Sequence, residues 1–343
     1  MTTASHPVTI LGTGSYAPER VMTNEDLSQM VDTSDEWITT RTGIRERHIA
    51  ADGETASDMA VRAARLALDS AGLTADAIDA VIVCTMTPDQ PCPATACFVQ
   101  EKLGLEGKTA FDLTAACSGF IYGLQVASAL VHAGTHRHVL LIGAEKLSAI
   151  IDWTDRSTCV LFGDGAGAVV LGRGPDHRHG IIGVRTGANG AQAELLHVPG
   201  GGCRIPASEQ TVRDRLHFLK MNGREVFKHA VRGMEQVARD LLDEHGYVAG
   251  DLDLVIPHQA NLRIIDTLGS RLEIPPERFF NNLERYGNTS AASIPLALDE
   301  AVRAGRVRPG DLILMLAFGA GLTWGASLLR WSGNNQPVPL SEN

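Results

Sequence analysis

The sequence contains an internal repeat, and this repeat constrains the fold more than any other feature. Cys117 lies 17 residues before Gly134, which ends a Val-His-Ala-Gly motif. Asn288 likewise lies 17 residues before Gly305, which ends a Val-Arg-Ala-Gly motif. Two pairs of apolar runs match as well: 79–83 with 253–257, and 139–143 with 312–316. The repeat predicts two pseudo-symmetric α/β halves, residues 1–173 and 174–343, with Cys117 and Asn288 at equivalent elbows.

The residues around Cys117 predict a strand, a sharp turn and a buried helix. The run 108–113 is typical of a strand, and apolar residues recur at helical spacing from Phe120 to Val131. This helix has almost no charge on any face, so we expect it at the centre of the molecule. Unpaired amides and the helix dipole at its N-terminus favour a nucleophilic thiolate at Cys117. The alternative is an ordinary core cysteine, because free cysteines are often buried.

Strands alternate with helices along the whole chain, which predicts the α/β class. The apolar run 80–85 is of the continuous kind expected in a parallel sheet. Thr55 is expected to cap a long helix that ends at Ala71, and Asn222 a second one that ends at His245. In such sheets, functional side chains are found where strands reach their carboxyl ends.

His258 and Asn288 occupy such strand ends and complete a chemical set with Cys117. A cysteine can hold an acyl group as a thioester. A neutral imidazole and a carboxamide can both donate hydrogen bonds to a thioester oxygen that becomes an enolate. Together the three residues indicate acyl transfer through a cysteine thioester, followed by carbon–carbon bond formation. The alternative for His258 or Asn288 alone is a buried polar group whose hydrogen bonds are satisfied within the fold.

Charge and cysteine usage exclude several classes of function. The formal net charge of −10 disfavours general binding to nucleic acid or to anionic membranes. The six cysteines contain no Cys-x-x-Cys pair, which argues against a zinc site and against a disulfide framework. No run of about 18 apolar residues predicts a membrane span, and the glycine-rich stretches 12–17 and 163–168 do not support a nucleotide site. We therefore expect a cytoplasmic protein.

Several motifs resemble those of β-ketoacyl-acyl-carrier-protein synthase III, the initiating condensing enzyme of bacterial fatty-acid synthesis in the thiolase superfamily. The resemblance covers roughly residues 7–331. The motifs lie at 31–37, 41–44, 116–119, 163–167 and 318–325 and around His258 and Asn288. The resemblance implies a thiolase-like duplicated α/β fold with central buried helices, and a homodimer that needs no cofactor. It also implies acyl-CoA and malonyl-acyl-carrier protein as substrates and partners, in the cytoplasm, with no nucleic-acid or membrane partner.

The resemblance also implies a role for individual positions. Cys117 would hold the acyl group, while His258 and Asn288 would bind the malonyl thioester during decarboxylation. The further positions are the backbone amides of Cys117 and Ala320 for the oxyanion hole; Trp37, Arg41, Arg156 and Gly223 for coenzyme A; Cys92, Leu147, Phe162, Leu219, Met221 and Phe318 for the acyl pocket; and Gln259, Arg263, Arg224 and Lys228 for carrier-protein docking. For the pocket positions, the alternative is ordinary core packing.

The docking face has support from charge spacing as well. Arg224, Lys228 and Arg232 recur every four residues on the helix predicted over 222–245, so they share one face. Cations near a helix N-terminus oppose the helix dipole, which suggests a use beyond solubility. The resemblance implies a strongly acidic carrier protein, which such a face would attract. The alternative is a solvated helix surface.

Three other functions remain open at this point. A homologous polyketide- or quinolone-type condensing acyltransferase of secondary metabolism would share most of these motifs. A cysteine hydrolase could use Cys, His and Asn in the same order, but the papain-type signature is absent and the duplication does not suit that fold. A catalytically silent acyl-binding module is disfavoured by the complete set of three residues.

Overall fold

The fold is described from a computed structural model that defines residues 7–174 and 178–333. The strands are β1 Val8–Tyr16, β2 Arg20–Thr23, β3 Glu46–Ile49, β4 Ala80–Cys84, β5 Thr109–Leu113, β6 Val139–Glu145, β7 Gly165–Arg173, β8 Gly180–Ala188, β9 Leu196–His197, β10 Lys220–Met221, β11 Leu254–Pro257, β12 Leu312–Gly319 and β13 Thr323–Arg330. The helices are α1 Asn24–Ser28, α2 Asp35–Thr42, α3 Ala56–Ala71, α4 Thr95–Lys102, α5 Gly119–His132, α6 Arg156–Cys159, α7 Glu209–Arg213, α8 Gly223–Glu244, α9 Leu262–Leu272, α10 Leu283–Tyr286 and α11 Ser293–Arg303.

Two large sheets repeat one strand order. The first runs β1-β7-β6-β4-β5, and the second runs β8-β13-β12-β11. In both, the first two pairings are antiparallel and the next is parallel. At the place of β5, the second sheet has a single parallel bridge between Val255 and Phe279. The predicted duplicated α/β fold is therefore confirmed, while the division into domains at residue 173 stays a prediction.

The layers follow from the alternation of side chains along the strands. Val81 and Val83 on β4 pack with α3 and α4 on the outer face of the first sheet. Ile82 between them faces inward, because successive strand residues point to opposite sides. It joins a central cluster that contains α5, α11 and the inner face of the second sheet. The outer face of the second sheet is covered by α8 and α9. The uncharged helix predicted after Cys117 is thus at the centre of the molecule, as expected.

The register of the repeat differs from the prediction. Each central helix follows a short 3-10 turn, 116–118 before α5 and 290–292 before α11. Both turns start on a residue with positive φ, Ala116 at 46° and Ser290 at 50°, so these two residues are equivalent. Cys117 therefore matches Ala291, and Asn288 lies three residues earlier, which makes the predicted equivalence of Cys117 and Asn288 wrong. The reason is that α11 is three residues shorter than α5, almost one helical turn.

Most of the long helices have the predicted boundaries. Thr55 caps α3 by accepting a hydrogen bond from the Asp58 amide, and Asn222 caps α8 in the same way from Glu225. Within the part of the chain that the structure defines, no helix combines the length and apolarity needed to cross a membrane.

Gly143 on β6 generates a test of how the sheet packs against the second turn. A Cβ at this position would lie 2.2 Å from the Ala291 carbonyl oxygen and 3.1 Å from the Ala292 Cα. Because backbone cannot move away as a flexible side chain can, Gly143→Ala should lower the free energy of unfolding by about 1–3 kcal/mol. Urea denaturation of the purified protein measures this loss.

Gly190→Ala is the matched control for this experiment. A Cβ on Gly190 would meet no atom within 4 Å, so this variant should unfold near the wild-type midpoint. Equal stability of the Gly143 variant and the wild type would contradict the close approach of β6 to residues 291–292.

Candidate active site

Cys117 lies in the first of the two tight turns, held between β5 and α5. The positive φ of Ala116 turns the chain sharply, so that Cys117 faces away from the strand. Gly319, at the end of β12, closes over it: a Cβ on this glycine would lie 2.7 Å from the Cys117 amide nitrogen and 3.1 Å from its Cβ. Only glycine permits this approach, which brings the chain at 319–320 against the cysteine.

The thiol of Cys117 is protonated in the empty site. The pKa of Cys117 is raised to about 12, chiefly by burial; the Ser290 hydroxyl acts against this shift, and the nearby Glu145 carboxylate adds to it. Burial therefore opposes the predicted effect of the helix N-terminus, which favours the thiolate. Removal of the side chain from water outweighs the favourable helix dipole, so the proton must leave when the sulfur attacks.

His258 follows β11 and is fixed as a hydrogen-bond donor. Its backbone amide donates to the Leu316 carbonyl at 2.7 Å, and its Nδ1 lies 2.6 Å from the Ser293 hydroxyl oxygen. That oxygen also accepts the Gln259 amide at 3.4 Å, so the Ser293 hydrogen is free to donate to Nδ1. The proton of the neutral imidazole is then on Nε2, a buried atom with no partner among the described residues.

Burial also sets the charge of His258. With only 3% of its surface exposed, the imidazole has its pKa lowered to about 3. It is therefore neutral at physiological pH and cannot accept a second proton there. The side chain offers the Nε2 hydrogen and no positive charge.

Asn288 is oriented by its own turn. Its backbone amide donates to the Leu161 carbonyl at 2.8 Å, and its carbonyl accepts from the Gly163 amide at 3.1 Å. The side-chain oxygen accepts the Ser290 amide at 2.9 Å, which assigns the oxygen and nitrogen of the carboxamide. The Nδ2 group is left as the donor. Since an amide does not titrate, this donor is present at any working pH.

A cavity of about 140 Å³ joins Cys117, His258 and Asn288. The three predicted residues come from different elements of both halves and meet here. The wall is apolar and is formed by Leu161, Phe162, Leu196, Met221, Val226, Phe227, Ala230, Met234, Ile264 and Phe318. A sulfur nucleophile and two neutral donors in a site of this kind suit the formation and use of a thioester.

The structure divides the predicted acyl-pocket residues into three groups. Phe162, Met221 and Phe318 line the cavity, as does Gly223, which was predicted to contact coenzyme A. Leu147 and Leu219 are buried in the apolar cluster that contains Phe162, but they do not border the cavity. Cys92 is exposed, on the loop between β4 and α4.

Four lining residues on α8 were not predicted. Val226, Ala230 and Met234 follow at intervals of four, and Phe227 adjoins the first of them. This spacing places them along one face of the helix. The apolar stripe is visible in the sequence, although only the tertiary fold shows that it faces a cavity rather than the core.

The predicted coenzyme A contacts form a cluster at the protein surface. The Arg41 guanidinium lies 4.5 Å from the Trp37 ring centroid, and the Arg156 guanidinium lies 4.8 Å from it. Both are cation–π contacts. Arg156 also donates to the Asp32 carbonyl at 2.5 Å, which holds it beside the ring.

The prediction that Gln259 docks a carrier protein is wrong. Only 1% of this residue is exposed. Its Nε2 donates to the Pro257 and Phe280 carbonyls, and its Oε1 accepts the Asn282 amide. The side chain braces the loop after β11 from inside, so a partner cannot reach it.

The other three docking residues lie at the surface around the cavity wall. Arg263 lies over the ring of Phe227, 5.7 Å from its centroid. Arg224 is exposed near the start of α8, and Lys228 pairs with Glu225 at 2.7 Å. Because this ion pair offsets the Lys228 charge, Arg263 and Arg224 carry most of the net positive charge of the set.

Glu145 is a residue that the sequence analysis missed. It ends β6 and is fully buried. Its Oε2 accepts hydrogen bonds from the hydroxyls of Thr85 and Thr87 and from the amides of Met86 and Thr87, and its Oε1 accepts from Ser290. Burial raises its pKa to about 7 although these donors act against the shift. A single acidic residue at the end of an apolar strand was the available signal.

Metal and disulfide chemistry have no visible site in the described regions. All six cysteines are free thiols. Across residues 7–174 and 178–333, no group of three or more His, Cys, Asp or Glu side chains is arranged to hold a metal ion.

Family models and a curated relative assign the chain to the same protein family. Residues 111–190 match the model of 3-oxoacyl-[acyl-carrier-protein] synthase III, and residues 242–331 match that of its C-terminal region. The chain is 53% identical over 323 residues to the β-ketoacyl-[acyl-carrier-protein] synthase III of Caldanaerobacter subterraneus subsp. tengcongensis, covering 94% of this chain and 97% of that one.

Solved structures agree with this assignment. The crystal structure of 3-oxoacyl-[acyl-carrier-protein] synthase III from Aquifex aeolicus VF5 has a TM-score of 0.88 and 52% identity, covering 94% of this chain and all of that one. The priming β-ketosynthase of the R1128 polyketide pathway has a TM-score of 0.87 but only 40% identity, covering 96% and 97%.

The depressed pKa of His258 predicts how stability depends on pH. An unfolded imidazole has a pKa near 6.5, so below that value the unfolded chain binds a proton that the folded chain does not. Relative to His258→Gln, which cannot titrate, the wild type should lose roughly 1 kcal/mol of unfolding free energy for each pH unit between about 6 and 4.5. Urea denaturation at several pH values measures the difference, and parallel pH profiles would show that His258 titrates normally in the folded protein.

Proposed function

The chain belongs to the β-ketoacyl-[acyl-carrier-protein] synthase III family, and we propose that its reaction runs through Cys117, His258 and Asn288. The enzyme is an acyl-condensing acyltransferase that initiates fatty-acid synthesis. It condenses an acyl-CoA primer with malonyl-acyl-carrier protein and forms 3-oxoacyl-acyl-carrier protein with loss of carbon dioxide. A role in polyketide or quinolone synthesis is not favoured, because the β-ketoacyl-[acyl-carrier-protein] synthase III of Caldanaerobacter is 53% identical to this chain and the priming ketosynthase of the polyketide pathway 40%.

The observation that carries the proposal is the convergence of one nucleophile and two fixed donors on a single apolar cavity. In the first half-reaction, Cys117 Sγ attacks the acyl-CoA carbonyl, and the coenzyme A thiol leaves. The backbone amides of Cys117 and Ala320 stabilise the oxyanion of the tetrahedral intermediate. The close approach of Gly319 to the Cys117 amide supports this assignment, since Ala320 is the next residue.

In the second half-reaction, His258 and Asn288 bind the malonyl thioester oxygen. The Nε2 hydrogen of His258 and the Nδ2 group of Asn288 stabilise the enolate that decarboxylation leaves on this oxygen. Its carbon then attacks the acyl group on Cys117, and the carbon–sulfur bond to Cys117 breaks. The buried Nε2 of His258 supports this role, because it has no other partner among the described residues and can donate its hydrogen to the oxygen that gains charge.

Coenzyme A binding is proposed at Trp37, Arg41, Arg156 and Gly223. An adenine ring can stack between the indole of Trp37 and the guanidinium of Arg156, which lies 4.8 Å from the ring centroid. Arg41 is also suited to bind the phosphates. Gly223, on the cavity wall, leaves space for the pantetheine arm that carries the acyl group inward.

The acyl group is proposed to occupy the apolar part of the cavity. Phe162, Met221 and Phe318 would contact the chain, with Leu147 and Leu219 supporting the wall from behind. Cys92 would reach the acyl tunnel of a second subunit. Its exposure on the loop after β4 supports that assignment, and its small side chain would leave the tunnel deep.

A homodimer is proposed to form along β5. This strand ends the first sheet and, among the described residues, pairs only with β4. Phe111 and Leu113 on it are partly exposed. An unpaired edge with apolar side chains is a natural surface for strand pairing with a second copy.

The remaining conditions of the reaction are also proposals. The six free thiols support a reducing, cytoplasmic setting. The reaction needs no cofactor, because the thioester substrates supply both the activated acyl group and the carboxylate that leaves.

Cys117→Ser and Asn288→Ala together test the proposed division of labour. Serine is a much weaker nucleophile without a dedicated base, so the first variant should form no acyl-enzyme with acetyl-CoA. The second should acylate Cys117 normally but lose malonyl decarboxylation by roughly 100-fold or more. Intact-mass analysis measures acylation, and release of carbon dioxide from malonyl-acyl-carrier protein measures the second step. A Cys117→Ser enzyme that condenses at a near wild-type rate would refute the mechanism.

Arg263→Glu tests the docking surface that Arg263, Arg224 and Lys228 are proposed to form. Reversing this charge beside the cavity wall removes a cation that would attract an acidic carrier protein, so the KM for malonyl-acyl-carrier protein should rise severalfold. The acylation of Cys117 by acetyl-CoA should stay nearly unchanged. Arg20→Glu makes the same charge change on β2 and should alter neither value. A parallel loss of both half-reactions in the Arg263 variant would assign the charge to coenzyme A binding or to the fold.

A further inference from the structure

Ser290 connects the cysteine of the active site to a buried carboxylate. Its hydroxyl interacts with the Cys117 thiol, and it donates to Glu145 Oε1 at 3.0 Å. The contact depends on the second tight turn, where the positive φ of Ser290 directs the side chain toward the first turn. Gly143 and Gly119 have no side chains, which lets the turn at 290–292 approach both β6 and α5.

The two oxygens of Glu145 are used differently. Oε2 accepts four hydrogen bonds, and one of them, from the Thr87 hydroxyl at 2.5 Å, is fixed because that hydroxyl itself accepts the Lys146 amide. Among the residues that the structure describes, Oε1 accepts a hydrogen bond only from Ser290. An incoming proton would therefore bind to Oε1 without displacing a donor from Oε2. The Ser290 hydrogen could then turn to the sulfur.

The reaction requires a proton acceptor at this place. Cys117 is a thiol at rest, with a pKa of about 12, and the attack on a thioester requires the thiolate. His258 cannot serve, because its Nε2 already carries the hydrogen and the pKa of its imidazole is about 3. The Glu145 carboxylate, with a pKa of about 7, is suited to exchange a proton near neutral pH.

We propose that Ser290 and Glu145 form a proton relay that deprotonates Cys117 during acylation and returns the proton during condensation. The proposal rests on the assigned role of Cys117 as the nucleophile. Ser290 acts on the Cys117 thiol as a hydrogen-bond partner that lowers its pKa, whereas Glu145 acts through Ser290.

The bonds and protons that the relay moves balance over the two half-reactions. In acylation, the bond from Sγ to the acyl carbon forms and the bond from that carbon to the coenzyme A sulfur breaks. The Cys117 proton passes to Ser290, whose own proton passes to Glu145, while the coenzyme A thiolate takes one proton from water. In condensation, the enolate carbon attacks the acyl group, and Cys117 leaves as a thiolate. Glu145 then gives its proton back through Ser290, which restores the starting enzyme.

Few other ionisable groups face Glu145. The thiol of Cys84, on β4, and that of Cys117 both interact with the carboxylate. Asp112, on β5, also interacts with Cys84, and its carboxylate is bound by the Thr95 and Ala96 amides. The elements that supply the donors contribute only hydroxyls and amides, and the Lys146 ammonium instead donates to the Glu54 carbonyl. A rate step with a midpoint near pH 7 can therefore be attributed to Glu145.

The pH dependence of Cys117 acylation tests the relay. With acetyl-CoA and rapid-quench intact-mass analysis from pH 5.5 to 9, the wild-type rate should rise through a step near pH 7 and then level off, because ionised Glu145 is the acceptor. Glu145→Gln should lose the step, and Ser290→Ala should lose it as well. Each should be roughly 100-fold slower at neutral pH, and the double variant should be no slower than either one.

Thr85→Val gives a second measurement that keeps Glu145 in place. It removes one donor to Oε2, which raises the pKa of the carboxyl, so the step should move to higher pH. Asp164→Asn is the control: Asp164 is another buried carboxylate with a raised pKa, but its partners are Ser148 and Ala50, and the step should remain near pH 7.

The outcomes separate the relay from the assigned function. A wild-type enzyme that takes no acetyl group on Cys117 would refute both. An enzyme that is acylated, but whose step persists unchanged in Glu145→Gln or Ser290→Ala, would overturn the relay alone. If the Glu145 variant does not fold, an unshifted step in Thr85→Val overturns it.

Discussion

The contact between the two tight turns at the centre of the molecule is the constraint on which the rest of the structure depends. The turns at 116–118 and 290–292 meet with almost no side-chain volume between them: a Cβ on Gly119 would lie 3.4 Å from the Ala291 Cβ. Each turn starts on a strained non-glycine residue and leads into a buried helix. The uncharged faces of α5 and α11, the glycine on β6 and the order of strands in both sheets all serve to bring these turns together.

Burial then determines the chemistry of the polar groups around that contact. Removal from water favours the neutral form of each ionisable group, so it raises the pKa of Cys117 and Glu145 and lowers that of His258. The hydrogen bonds that remain decide which group donates and which accepts. A site of this kind holds little resting charge, and it is suited to a reaction in which charge appears on a substrate oxygen and disappears again.

Local signals in the sequence predicted the elements well. The caps at Thr55 and Asn222 and the apolar strand 80–85 depend on neighbouring residues, which the sequence displays directly. Cys117, His258 and Asn288 were predicted from their chemistry at strand ends, and the fold brings them to one cavity. What the sequence could not show depends on distant contacts. The repeat was aligned from the glycines at its far end, so the missing turn of α11 went undetected. The burial of Gln259 and the network around Glu145 arise only when separate segments pack.

The stacking of two guanidinium groups on Trp37 has a consequence for turnover. In the empty protein the indole already has cationic partners on it, and one of them, Arg156, is tied to the Asp32 carbonyl. An adenine that stacks there replaces a guanidinium–indole contact that already exists. Its net binding free energy is therefore the difference between the adenine–indole and guanidinium–indole contacts. The nucleotide end of coenzyme A would then be recognised without being retained for long. If coenzyme A binds there as proposed, a weakly held adenine would let it leave quickly and make room for malonyl-acyl-carrier protein.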